Sequence, residues 1–198
     1  QTRYDDYYNL EFYTDWCLGQ FMSKARSQPY FNNTIFVITA DHPSHINPNL
    51  YENYHIPLLL YAPGLLNPAR YDAVGSQLDI LPTILGLLDL ETEHASFGRD
   101  LMQVAARNEP GFAYLMLGDS VGWVQGPWLL HDPLDESAPR LYNYIENPAM
   151  TRNYAMHQAE LVRSLRHRAR SFMQVSRRLL VENRIFPPRF ASAQEDKD

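Results

Sequence analysis

Asp41 and His42 are the residues of this chain whose types and position best suit chemistry. They directly follow residues 34–40, an apolar and β-branched run that predicts a strand buried on both faces. A carboxylate beside an imidazole can hold a divalent cation, and open α/β sheets bind ligands at the carboxyl ends of their strands. Asp41 and His42 are therefore candidate metal ligands. Because Pro43 favours an extended backbone at His42, both side chains reach one ion only if the chain bends there.

Neighbouring residues leave other interpretations open. Asp41 could open a turn while His42 packs or forms a hydrogen bond, which would make the pair structural. His45 could join a three-ligand cluster or contact substrate, and we expect it on the substrate side. Ser44, which follows a proline in a polar loop, is expected to be a turn residue. Cys17 lies on an apolar helical stripe, which favours a buried, inert thiol over a nucleophile.

Composition limits the classes of protein to consider. A chain of 198 residues with 45% hydrophobic and 13% aromatic content can bury one sizeable core. Its formal net charge of −6, without a basic cluster in a recognisable motif, argues against nucleic-acid binding. The sequence contains no apolar run long enough to span a bilayer, and its single cysteine cannot form an internal disulfide.

Periodicity and turn residues predict the elements of the first half. They are a helix over 5–28, a strand over 34–40, a polar loop over 43–54, a strand over 56–61 and a helix from Ile80 to Leu88. Two residues could form the N-cap of the second helix. Asp79 can form the cap, or Ser76 can form it with Asp79 as the capping-box partner three residues later. Either role makes Asp79 a structural residue.

The second half changes character. Short aromatic and branched runs over 111–145, separated by Gly, Pro and Asp, predict an antiparallel meander in which Trp123 and Trp128 are packing anchors. A helix over about 149–184 carries one apolar stripe. Its other faces are basic, with Arg163, Arg166, Arg168, Arg170, Arg177, Arg178 and Arg184. A solvated face on a packed helix is favoured, and contact with anionic lipid headgroups or with the acidic body of the protein are the alternatives.

Three segments together resemble the sulfatase and alkaline-phosphatase superfamily. They are NTIFVITADH at 33–42, HIPLLLYAPG at 55–64 and GSQLDILPTIL at 75–85. Their order and spacing are most similar to the branch of lipoteichoic-acid synthases and phosphoglycerol transferases. The resemblance covers about residues 4–102 and is weak over 111–148. It implies an α/β fold with a mixed, mostly parallel sheet flanked by helices, a small antiparallel C-terminal sheet and a long C-terminal helix.

The resemblance also implies a domain organisation. Residues 1–148 would form the C-terminal part of a sulfatase-like catalytic domain, with the antiparallel annex at about 111–148. Residues 149–186 would form the long basic helix, and 187–198 a tail. The family's nucleophile lies upstream of the matching segments, so no catalytic nucleophile is expected here and the chain alone is expected to be inactive.

The function implied is metal-dependent phosphoglycerol transfer. A divalent cation (Mn, Zn, Mg or Ca) held by Asp41 and His42 would activate an upstream threonine, which takes the group from a phospholipid headgroup. The implied location is a membrane-anchored protein with an extracytoplasmic, periplasmic catalytic domain, and the implied partner is the upstream remainder of the chain. One alternative is a sulfatase or phosphatase that releases sulfate or phosphate to water. Another is a non-catalytic binding or assembly module, since Pro43 replaces the glycine common in the family.

Overall fold

The computed structural model describes residues 3–43, 49–135 and 137–186. Its helices and strands are α1 (Arg3–Ala25), β1 (Phe36–Thr39), β2 (Leu58–Tyr61), α2 (Ile80–Leu87), α3 (Leu101–Ala106), β3 (Ala113–Met116), β4 (Ser120–Gln125), β5 (Trp128–Pro133), β6 (Arg140–Asn143) and α4 (Ala159–Val181). The chain divides into two compact units, Gln1–Arg70 and Tyr71–Asp198. The predicted tail at 187–198 lies outside the described residues. Within the described part, no helix is both long and apolar enough to cross a membrane.

An aromatic cluster at the start of β1 organises the first unit. The ring of Phe36 lies 6.2 Å from Phe21 of α1, 5.5 Å from Phe31 and 6.2 Å from Tyr61 of β2, measured between centroids. Edge-on and tilted aromatic pairs of this kind stabilise packing beyond the area that they bury. The cluster therefore fastens the C-terminal end of α1 to the strand pair, and Ala25 on the last turn of α1 is buried.

The direction of the first strand pair corrects the expectation of a mostly parallel sheet. β1 and β2 are antiparallel, with Thr39 opposite Leu58. Among the described residues, the parallel pairing that occurs is the isolated bridge between Val74 and Gly111. The expected burial on both faces is not found either, because β1 is buried at Phe36, half-buried at Val37 and Ile38 and exposed at Thr39. A parallel neighbour needs a crossover connection that is usually a helix. The described part of 40–57 contains a single 3₁₀ turn instead.

Ser76 and Asp79 form a capping box at the entrance to α2, which is the second of the two predicted caps. The Asp79 carboxylate accepts a hydrogen bond from the Ser76 backbone N–H at 2.8 Å. It also accepts from the Arg99 backbone N–H at 2.7 Å and pairs with the Arg99 guanidinium at 2.9 Å. Only 1% of Asp79 is exposed. Its role here is to fix α2 against the segment that leads into α3.

The second unit contains the predicted meander, an antiparallel sheet in the order β3-β4-β5-β6. α4 packs on one face of it, so the α/β class with a C-terminal antiparallel sheet and a long C-terminal helix is confirmed. Sheet and helix share one core, formed by Val121, Trp123, Leu130, Leu141, Tyr154, Val162, Leu165 and Ala169. Trp123 is buried there and stacks on Phe112 with 4.5 Å between ring centroids, as expected of a packing anchor.

α4 begins at Ala159, ten residues later than the predicted start at 149. The intervening segment pairs with β6 instead of coiling. The Tyr154 backbone N–H donates to the Leu141 carbonyl at 2.8 Å, and the Asn153 side-chain oxygen accepts from the Leu141 N–H at 3.0 Å. An edge strand has backbone groups that need partners, and satisfying them here outweighs the helical preference of the segment.

Two arginines of α4 bind one carboxylate of the sheet. Asp132 on β5 is fully buried, and its oxygens lie 3.0 Å from Arg166 Nε and 2.6 Å from Arg170 Nε. These two residues therefore follow the alternative in which the basic helix docks on acidic groups of the protein itself. Contact of the remaining arginines with lipid stays a prediction.

We predict that Asp132→Ala lowers the free energy of unfolding by about 2–3 kcal/mol, because it removes charged hydrogen bonds from a buried position. The arginines remain 37% and 35% exposed, which lets water compensate them and keeps the cost at the lower end. Urea unfolding followed by circular dichroism measures the change. Glu160→Ala is the matched control, since it removes an exposed pair with Arg163 and a first-turn acid of α4 and should cost less than about 1 kcal/mol. Equal effects of the two substitutions would contradict the prediction.

The neighbouring His131 should make stability depend on pH. Its Nδ1 is buried and, within the described residues, has no hydrogen-bond partner. Burial lowers the pKa of His131, Arg140 on β6 lowers it further, and Asp119 and Asp132 oppose the shift. The unfolded chain therefore takes up a proton below the ordinary pKa of about 6.5 while the folded chain resists it, so stability is retained above that pH and lost as the pH falls below it.

The check is urea unfolding of the parent and of His131→Gln at pH 7.5 and pH 5.5. We expect the parent to lose more stability than the variant between the two pH values. An equal loss in both proteins would show that other groups carry the pH dependence.

Candidate metal centre

The end of β1 positions the candidate ligands. Thr39 is the last residue of β1, and its hydroxyl donates to the Pro57 carbonyl at 2.8 Å, just before β2 begins. This hydrogen bond closes that end of the strand pair. The chain then bends at Asp41 and His42. Neighbouring side chains of a straight strand face opposite ways, so this bend is needed for both to reach one ion.

The backbone around Pro43 orients the imidazole. His42 Nδ1 lies 2.9 Å from the Pro43 carbonyl oxygen. A carbonyl only accepts, so Nδ1 carries the proton and the lone pair of the neutral ring is on Nε2. A histidine that binds a metal typically donates its other ring N–H to such a carbonyl or to a carboxylate. The Pro43 carbonyl occupies the position of such a partner beside His42.

The Asp41 carboxylate faces the same ring nitrogen. Asp41 Oδ2 lies 3.7 Å from His42 Nε2, while Asp41 Oδ1 accepts from the His42 backbone N–H at 2.9 Å. Two atoms that each bind a shared ion at about 2.0–2.2 Å are at most about 4.4 Å apart, so the observed separation fits one cation. The side chains are 89% exposed for Asp41 and 61% for His42, which leaves them accessible. A carboxylate oxygen and an imidazole nitrogen are both ligand types for a divalent cation.

The remaining candidate residues are not brought into the pair. His45 and Ser44 lie outside the described residues. Cys17 is half-buried on α1, less buried than its stripe predicted. Over residues 3–43, 49–135 and 137–186, no group of three or more His, Cys, Asp or Glu side chains could hold a metal ion. Asp41 and His42 are thus a candidate pair, and a metal site of this kind needs further ligands.

The role of the Pro43 carbonyl beside the His42 ring was not predicted from the sequence. Pro43 stands out in the sequence as a constraint on the backbone of His42, whereas in the structure its carbonyl fixes the proton on the imidazole. Every residue has a backbone carbonyl, so no sequence signal marks the one that serves as a partner. Only the bend of the chain reveals it.

Comparison with known proteins shows which family this segment is similar to. The family model for sulfatases, described simply as "Sulfatase", matches residues 1–90, which include β1, the Asp41-His42 pair and β2. The chain is similar to members of the sulfatase and alkaline-phosphatase superfamily. Its resemblance to lipoteichoic-acid synthases within that superfamily stays a prediction.

Relatives of known name are sulfatases. Arylsulfatase K of Canis lupus familiaris is 28% identical over 141 residues, which cover 64% of this chain and 24% of the relative. N-acetylgalactosamine-6-O-sulfatase of Bacteroides thetaiotaomicron is 23% identical over 196 residues, which cover 76% of this chain and 38% of the relative. The chain thus spans between 17% and 38% of the curated relatives it matches.

Solved structures give the same fold. A protein of the alkaline-phosphatase superfamily from Vibrio parahaemolyticus is similar with a TM-score of 0.58 and 27% identity, over 70% of this chain and 34% of that one. A glycosaminoglycan-metabolism sulfatase from Bacteroides thetaiotaomicron has a TM-score of 0.63 and 19% identity, over 80% of this chain and 42% of that one. The fold of the chain is therefore alkaline-phosphatase-like.

We predict that Mn²⁺ binds at the end of β1 and broadens the NMR signals of residues 39–43 before others. Asp41→Asn should weaken this local broadening by more than about tenfold in Mn²⁺ concentration, because it removes a ligand charge without removing the side chain. His94→Gln, at an exposed loop position, is the control for nonspecific imidazole binding. Broadening that persists in Asp41→Asn, or that fails to centre on 39–43, would show that the pair does not bind the ion.

Proposed function

We propose that this chain contributes Asp41 and His42 as cation ligands to the active site of a sulfate-ester hydrolase. The observation that carries the proposal is the oriented pair, with Nε2 of His42 facing the carboxylate at 3.7 Å, inside the segment that matches the sulfatase family model. The sulfatase relatives support the same substrate class. The activity of the whole protein is part of the proposal, because the chain matches only part of each relative.

Four residues contribute to the proposed cation site, each in a different way. Asp41 brings the negative charge that retains a divalent cation, and His42 offers the lone pair on Nε2. The Pro43 carbonyl accepts the Nδ1 proton, so the neutral form of the ring offers Nε2 as its ligand atom. Thr39 fixes the end of the strand pair through Pro57. When bound, the cation supplies Lewis-acid stabilisation of negative charge on the oxygens of the ester.

Transfer of a phosphoglycerol group is the second candidate. It is favoured by the resemblance of the segments at 33–42, 55–64 and 75–85 to phosphoglycerol transferases. Sulfate esters and phosphodiesters both present oxyanions to a cation, so the Asp41-His42 pair serves either chemistry. The nucleophile distinguishes them, since a sulfatase uses a modified Cys or Ser and a transferase uses Thr. A lipid-headgroup donor and an extracytoplasmic location belong to this second candidate.

We also expect the 198-residue chain alone to be inactive. An active site of this type needs a nucleophile and more cation ligands than the two that the described residues offer. Measurable sulfatase turnover by the isolated chain, abolished by Asp41→Asn, would show that its own residues complete the site.

The test of function uses a longer protein that contains this chain. Turnover of 4-nitrophenyl sulfate, bis(4-nitrophenyl) phosphate and phosphatidylglycerol is compared for the parent, Asp41→Asn and His42→Gln. We expect sulfate-ester turnover to be the highest, and each substitution to lower it by more than about tenfold, because each removes a cation ligand. His94→Gln should retain the parent rate. Rates within tenfold of the parent in both ligand variants would refute the assignment, and turnover of phosphatidylglycerol alone would favour the transferase.

A further inference from the structure

A groove lies in the second unit, between the β4–β5 turn and the first half of α4. It has a volume of about 270 Å³, and its walls include Gln125, Pro127, Trp128, Leu161, Ser164 and Arg168. Pockets for small ligands begin at about 300 Å³. The groove lies just below this range, which limits its occupant to about a single ring with one substituent. We call it the Trp128 groove.

Three carbonyl groups that border the groove already accept hydrogen bonds. The Pro110 carbonyl accepts from the Val74 N–H at 2.9 Å, and the Pro127 carbonyl accepts from the Tyr144 N–H at 3.1 Å. The carbonyl of Gly126 accepts from the Tyr144 hydroxyl. The loop side of the Trp128 groove thus has little to offer a ligand that brings N–H or O–H donors.

Hydrogen-bond donors are left over. Gln125 Oε1 accepts from Trp123 Nε1 at 3.2 Å and from Arg168 Nη1 at 3.0 Å, so its amide NH₂ is the group left for a ligand. The indole N–H of Trp128, the Ser164 hydroxyl and the other guanidinium N–H groups of Arg168 have no hydrogen-bond partner among the described residues. No acidic side chain is among the residues that line the groove. These unused donors favour a ligand group that only accepts hydrogen bonds. The positive charge of Arg168 favours a group that is also negatively charged.

The walls are held in place before any ligand arrives. Trp128 packs edge-on against Tyr154 with 5.6 Å between ring centroids. Leu165 at the helix side is only 2% exposed, and the contacts of Asp132 with Arg166 and Arg170 fix α4. Groups that are already ordered lose little entropy on binding, which favours affinity.

We propose that the Trp128 groove binds a single sugar ring that carries one oxyanion, sulfate or phosphate. The oxyanion lies against the Arg168 guanidinium, with hydrogen bonds from the Ser164 hydroxyl and the Gln125 amide. The C–H face of the ring packs on Trp128 and the aliphatic wall at Leu161. Binding needs no cation, so the proposal goes beyond the one for Asp41 and His42 and stands independently of it.

The test is calorimetric titration of the 198-residue chain with glucose 6-sulfate, glucose 6-phosphate, glucose and inorganic sulfate, in the presence of EDTA. We expect both charged sugars to bind, and glucose and sulfate each to bind at least about tenfold more weakly, since each lacks one half of the recognised group. Arg168→Gln should weaken binding of glucose 6-sulfate by about tenfold or more.

Arg163→Gln is the matched control, because Arg163 is an exposed arginine of the same helix that pairs with Glu160 and does not line the groove. It should bind glucose 6-sulfate like the parent. Ser164→Ala, which removes one hydroxyl, provides a second variant if Arg168→Gln unfolds. The proposal is overturned if neither charged sugar binds, if glucose or inorganic sulfate binds as well as they do, or if affinity is the same in Arg163→Gln as in every folded groove variant.

Discussion

The buried carboxylate of Asp132 determines how α4 lies on the sheet. Arg166 and Arg170 are four residues apart and share one face of the helix, so their contacts with a single carboxylate fix both the position and the rotation of α4. Leu165 is then turned into the core, and Arg168 towards the turn after β4. A buried acid without partners would be costly, and here the same groups that compensate its charge also set the helix geometry.

The Asp41-His42 pair is built differently, from local backbone contacts. Among its contacts are those within three consecutive residues, in which the Pro43 carbonyl lies beside the imidazole. Both this pair and the Trp128 groove are proposed to meet oxyanions, although the whole chain carries a formal charge of −6. Attraction of such ligands must therefore come from a bound cation in one case and from Arg168 in the other, and not from the overall field of the protein.

Local patterns in the sequence were sufficient for much of this architecture. The apolar run at 34–40 indicated β1, the Gly and Pro between aromatic runs indicated the meander, and the spacing of Ser76 and Asp79 indicated a capping box. These features depend on backbone preferences and on the burial of neighbouring residues, which a short window of sequence contains. The adjacency of an acid and a histidine at the end of a strand is likewise a local fact.

Features that join distant residues were decided only by the tertiary structure. Asp132 and Arg166 are 34 positions apart, and the residues around each of them do not indicate that the two form a pair. The same holds for the antiparallel pairing of β1 with β2, and for the pairing of Asn153 with β6 that delays the start of α4. The sequence by itself indicated most of the helices and strands, except α3 and the start of α4, and showed which residues could bind a cation. The tertiary structure decided strand direction, helix rotation and the donors left open in the Trp128 groove, because a hydrogen-bond partner far along the chain is chosen by packing and not by local preference.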